Sequence, residues 1–267
     1  MTTRRTPDLT FVTSATAALT ATIVRMRRPD FLTLIAIAIV AYALSNVIHE
    51  GLGHGGACLL IGSHLRELSS LHCLCDGDSK FVSAAGCIAN VIAAGIGLLL
   101  FRRRRSYLLW LFTTLNLLMP AGYLLFSGVM HVGDWVNVCR DLPPIVWRPA
   151  LAIAGAGLYF LAARYSARLL ATIASRDDAR RATLVPYFTG GILYCVSGLF
   201  NPVGPILIAI SAAAASFGGT SGLIWLVEFN RNNDAPGIAI ERSYVWIASA
   251  VVIGGVFVGV LGPALRF

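Results

Sequence analysis

Charge is what this sequence lacks. Only 13% of its 267 residues are Asp, Glu, Lys or Arg, against 57% hydrophobic, and the mean hydropathy is +0.74. That balance excludes a large soluble domain and points to a membrane protein. Residues 1–29 lack an apolar run long enough for the core of a signal peptide and show no obvious cleavage site. They read instead as a frayed or surface-lying amphipathic segment. Internal repeats are also missing, and low complexity is confined to SAAAAS at 211–216. Its small residues, extended by Gly218, Gly219 and Gly222, suit close helix packing in lipid.

What is abundant is apolar runs close to 20 residues or longer, the length at which a helix crosses about 30 Å of hydrocarbon. They fall at 31–61, 81–101, 107–130, 149–173, 184–200, 203–227 and 244–265. The expected fold is therefore all-α, a polytopic transmembrane helix bundle of six or seven spans. Arg164 and Arg168 near the end of the fourth run imply snorkelling or an earlier exit. The fifth and sixth runs meet at Asn201 and Pro202, a helix breaker, so they form two spans or one re-entrant unit turning at 201–205.

The formal net charge is +8, and its distribution separates nucleic-acid binding from topology. Arg25, Arg27 and Arg28 precede the first run. Arg102 to Arg105 separate the second and third. Arg176, Arg180 and Arg181 follow the fourth, and Arg231 and Arg242 lie between the sixth and seventh. The intervening loops hold His64, Arg66, Lys80, Arg140 and Arg148 with compensating acids. Every alternate loop is thus basic, which places the N-terminus in the cytoplasm, with seven spans leaving the C-terminus outside. The arginines anchor topology or meet anionic membrane lipid, and nucleic acid is not an expected partner. The expected location is the plasma membrane of a bacterium.

Six cysteines stand at 58, 73, 75, 87, 139 and 195. On this topology Cys73, Cys75 and Cys139 lie on the non-cytoplasmic side, where a disulfide from Cys139 to either of the others is permitted. His72, Cys73 and Cys75 have the look of metal ligands, but no second pair accompanies them, so a disulfide or free thiols are expected.

Ionisable groups inside apolar runs are costly in lipid and are functional candidates for that reason. Here VIHEGLGHGG, at 47–56, holds His49, Glu50 and His54. The first two lie about 18 residues into their run, roughly 27 Å along the helix. Asp134 closely follows the third run, which starts from the same side, so the two sets arrive at similar depth. A hydrolytic zinc site needs three protein ligands, an open position and a nearby carboxylate. Histidines four apart on a helix diverge by about 40° and meet one metal; five apart, as here, they diverge by about 140°. The spacing therefore requires a distorted helix. A π-bulge absorbs one extra residue, and Gly51 and Gly53 make the distortion inexpensive. Alternatively Glu50 and His54 are ligands, or the stretch is a glycine packing patch whose histidines bond to backbone.

Together these residues resemble the site-2 protease family of intramembrane zinc metalloproteases. His49, Glu50 and His54 look like its zinc-binding helix. Ala85, Gly86 and Asn90 match its A-G-x-x-x-N helix, with Cys87 where proline is usual. Asn116 to Pro120 (NLLMP), with Gly133, Asp134 and Trp135, resembles its N-L-x-P segment and later aspartate. The match covers roughly residues 31–140. It departs in the extra motif residue, in GDW for L-D-G, and in a longer interval from Pro120 to Asp134.

The resemblance implies a metalloprotease-like transmembrane core over 30–140, after a cytoplasmic segment at 1–29 and before additional helices at 141–267. It implies Zn²⁺ held by His49, His54 and Asp134, with Glu50 as the catalytic base. Asn90 would bind substrate backbone or steady the oxyanion, unless it makes an interhelical hydrogen bond. His131 competes with Asp134 as third ligand. The substrate would be a transmembrane segment of another protein. A non-catalytic scaffold of the same fold and an ion- or proton-coupled transporter are the alternatives, the latter disfavoured because the last three runs carry no charge.

Overall fold

The computed structural model describes residues 29–77, 79–229, 238 and 240–267. The segment expected at 1–29 lies, apart from Pro29, outside the described residues. Helix starts are set by side-chain caps that accept otherwise orphaned backbone N–H groups. Asp30 caps α1 (Phe31–Leu60), Ser79 caps α2 (Lys80–Arg103) and Ser106 caps α3 (Tyr107–Met130). A short α4 (Asp134–Cys139) follows, then α5 (Pro144–Leu170), which opens on Pro144 in its first turn, where a missing N–H costs nothing. Ser175 caps α6 (Arg176–Gly198) and Ser243 caps α8 (Tyr244–Leu261). Between them α7 (Ile210–Phe229) is irregular, with π turns over its first half.

Six of these helices (α1, α2, α3, α5, α7 and α8) are long and apolar enough to cross a membrane. The outcome is the expected all-α polytopic bundle. α6 falls outside that set because Arg176, Asp177, Asp178, Arg180 and Arg181 crowd its first turns, yet it runs the length of the bundle. Near its start Ala182 accepts a hydrogen bond from Tyr107 at the start of α3; near its end Ser197 donates to Phe257 of α8. α1 and α8 are parallel, since Arg242 pairs with Asp30 at one end and the chain terminus pairs with the strand after α1 at the other. Among the described helices, parallel α1 and α8 fit an odd number of traverses of the bundle, and α6 is the traverse beyond the six apolar helices. The turn at Asn201, where Val203 N–H donates to the Asn201 side chain, joins two passes.

A small antiparallel sheet, not foreseen from the sequence, sits after α1. Its strands β1 (Leu65–Leu68), β2 (Cys73–Cys75) and β3 (Leu265–Arg266) lie in the order β2-β1-β3. The β1–β2 connection dips into the bundle. Asn46 of α1 donates to Ser70 O at 2.9 Å, Ser70 N–H donates to Leu261 O at 3.0 Å, and the Ser70 and Ser197 hydroxyls lie 2.7 Å apart. Non-helical backbone is tolerated at such depth because it is buried in protein, with its polar groups satisfied.

Of the permitted outcomes, the disulfide from Cys139 does not form; one joins Cys58, at the end of α1, to Cys75 of β2, with Cα atoms 5.8 Å apart. Cys139 is a free thiol on α4 and Cys73 is also free. Sequence reasoning left Cys58 inside a span; the sheet folds back against the end of α1 and brings Cys75 to it.

Candidate metal centre

The helix around the histidines is distorted as their spacing requires. α1 is an α-helix to Asn46, a π-helix over Val47–Gly55, and α-helical again over Gly56–Leu60. Gly56 N–H reaches back five residues to Gly51 O. Hydrogen bonding from i to i+5 brings residues five apart onto one face, so the His49 and His54 Nε2 atoms lie 3.2 Å apart. α2 crosses here at backbone contact. A Cβ on Gly53 would come within 2.6 Å of Gly86 Cα, and one on Gly86 would collide with both imidazoles.

Asp134 reaches the same point from a reversal of the chain. α3 continues ten residues beyond Pro120 to Met130, then His131 at φ 57° and Gly133 at φ 97° turn it back. Asp134 starts α4, and its Oδ2 lies 3.3 Å from His49 Nε2 and 3.4 Å from His54 Nε2. The longer interval from Pro120 is this overrun and return. His131 is exposed, its ring against Trp147 at 5.3 Å; it takes no part in the cluster.

Hydrogen bonding fixes the chemistry of the two imidazoles. His54 Nδ1 lies 2.7 Å from Val82 O, which can only accept, so Nδ1 carries the proton and Nε2 presents a lone pair. For His49 the argument passes through two amides. Asn116 Nδ2 donates to Phe112 O at 2.8 Å and to Ser45 Oγ at 2.9 Å, leaving its Oδ1 to accept from Asn90 Nδ2 at 2.7 Å. Asn90 Nδ2 also donates to Ser45 O, so Asn90 Oδ1 accepts from His49 Nδ1 at 2.6 Å. His49 Nε2 therefore presents a lone pair as well.

Three electron-rich atoms thus converge, all within 4.8 Å of one another. Asp134 Oδ2 is buried without a hydrogen-bond partner. A cation at the centre would satisfy an orphaned buried acceptor facing two lone pairs, and the His49, His54, Asp134 group can hold a metal ion. Three protein ligands leave a coordination position open.

A cavity of about 620 Å³ adjoins the group. Glu50, His54 and Asp134 line it, with Tyr123 and Phe126 of α3 among its apolar walls. Glu50 is 5% exposed and so sits in the cavity wall beside the ligands. Asn90 is fully buried and does not line the cavity. Its contacts give it the interhelical role and not the substrate contact expected of it. Nor do the ligands of the His72, Cys73, Cys75 reading come free. His72 bonds Glu67 and Ser69, Cys75 is in the disulfide, and burial, with Glu50 nearby, pushes the Cys73 thiol up to about 12.

Sequence reasoning missed Tyr123, whose ring packs on His49 with centroids 4.8 Å apart. The available signal was its spacing of seven from Asn116, two helical turns along one face. It also missed that α5 and α7, beyond the proposed core of 30–140, complete the cavity through Tyr159 and the stretch from Ile210 to Ser221. No protein-family model, curated protein or solved structure matches the chain.

Proposed function

We propose that this protein is an intramembrane zinc-dependent endopeptidase that cleaves transmembrane segments of other proteins, the activity its resemblance to site-2 proteases implies. The observation that carries this reading is the convergence of His49, His54 and Asp134 at a cavity whose wall also holds a buried carboxylate, Glu50. A structural metal site has no use for that carboxylate; a hydrolytic one requires it. The N₂O donor set with one open position suits zinc.

Zn²⁺ bound there supplies Lewis acidity toward water and a peptide carbonyl. Glu50 takes the proton of the attacking water and returns it to the leaving amine. Val82 O and Asn90 Oδ1 hold the imidazoles with Nε2 toward the metal. The largely apolar walls from α3 and α7 suit an unwound apolar segment. The charge distribution supports an N-terminus in the cytoplasm.

Metal analysis of the purified protein tests the reading. Wild type should carry one zinc per chain, lost in His54→Ala, and a folded wild type devoid of metal would sink it. Glu50→Gln should keep the zinc while abolishing cleavage of a helical test substrate; persistent cleavage would remove Glu50 as the base.

A further inference from the structure

The cavity extends well beyond the metal ligands, and its far wall differs from the rest. Leu71, Val82, Tyr123, Leu125 and Phe126 give the other walls bulk, whereas α7 contributes Ile210 at one edge and then only small residues, Ser211, Ala214, Ala215 and Gly218 among them. The bulky residue of that turn, Phe217, is directed away, its ring against Gly191 of α6. Tyr159 of α5 holds this wall in place. Its hydroxyl lies 3.0 Å from Gly219 O and 3.1 Å from Ser221 Oγ, and accepts from Gly222 N–H at 2.7 Å. Close packing of α7 on α3 sets how near the wall can come. A Cβ on Gly122 would lie 3.2 Å from Gly219 Cα, and one on Gly222 would press on Leu118.

Gly218 is the informative position. It is exposed and lines the cavity, and a Cβ added there meets nothing within 4 Å. Its backbone is not in the left-handed region, so the absent side chain answers no conformational need. Space is left at this point although the neighbouring glycines are pressed by packing.

We propose that Ala214, Ala215 and Gly218 of α7 form a specificity pocket that receives one large apolar side chain, Leu or Phe in size, of the segment held against the metal centre. The inference rests on the endopeptidase reading. The cavity of about 620 Å³ has the size of sites that bury most of a ligand of several residues' bulk, and an uncharged small-residue wall is complementary to an apolar side chain. The pocket selects by volume: a side chain that fills it gains contacts that Ala does not.

The test is a graded series, Gly218→Ala, Gly218→Leu and Gly218→Phe, assayed in the full-length protein. The substrates are helical peptides in which each position flanking the cut is Ala, Leu or Phe. Wild type should prefer Leu or Phe over Ala at one position, and Gly218→Phe should reverse that preference by about tenfold or more, as expected for filling an apolar subsite. Zinc content equal to wild type certifies that a variant is folded, and if a larger replacement loses zinc the smaller ones decide. Cleavage by wild type with unchanged preferences across the folded variants overturns the pocket while leaving the endopeptidase reading intact. A zinc-loaded wild type that cleaves none of the peptides overturns both.

Discussion

Asn90 and Gly86 lie on one face of α2, and each acts on the imidazoles by contact. The 2.6 Å hydrogen bond from His49 Nδ1 to Asn90 Oδ1 holds both tautomer and ring orientation. Removing such a partner typically costs 10- to 100-fold in metal affinity. Asn90→Leu should therefore weaken zinc binding by about that factor, read by competition with a chelator; an unchanged affinity would show that packing against Tyr123 suffices to hold the ring. Gly86→Ala should abolish stoichiometric binding, because its Cβ would occupy the space of both imidazoles. Gly95→Ala, with open space on the same helix, is the control that should bind normally. Both positions were picked out from the sequence by their place in A-G-x-x-x-N. Their physical tasks were not visible there, since a hydrogen bond 41 residues long in sequence and a clash between helices exist only once the helices cross.

At the scale of elements, the π segment and the small sheet carry the main consequences. Five residues from His49 to His54 cannot share a face of an α-helix, so the distortion of α1 followed from arithmetic alone. It extends over the nine residues Val47–Gly55, and within it Gly53 lies against the backbone of α2. Deleting Gly51 turns the motif into H-E-x-x-H, whose histidines meet on a regular helix. The deletion variant should retain one zinc per chain, and loss of metal from a folded variant would mean that the π-helix sets the position of Glu50 or Asp134 as well as the histidine spacing. The sheet was not legible, because strands of two to four residues leave no periodic signal within apolar surroundings. Its disulfide closes an interval of 17 residues, for which loss of the cross-link costs about 3 kcal/mol on chain-entropy grounds. Cys75→Ser should lower the unfolding midpoint accordingly in detergent, whereas Cys139→Ser, a free thiol, should not.

For the whole molecule, the decisive feature is that α1 and α8 run parallel and the C-terminal strand pairs with the strand after α1. The start of α1 and the C-terminal strand β3 therefore lie at opposite ends of the bundle. Reporter fusions at the two ends should give opposite signals; like signals would mean that α6 does not cross. The length and hydropathy of the runs already implied the bundle, because lipid forces every spanning segment to satisfy its own backbone. The sequence by itself therefore determined the fold class, the candidate ligands and the need for a distorted helix, since each depends on composition or on residues close together in the chain. Only the tertiary structure decided that Asp134 and not His131 joins the histidines, that Asn90 supports a ligand instead of facing the cavity, that Cys58 pairs with Cys75, and that α7 walls the cavity. Each of these depends on where two distant segments meet, and in a bundle that is settled by side-chain volume at helix crossings, which no local pattern records.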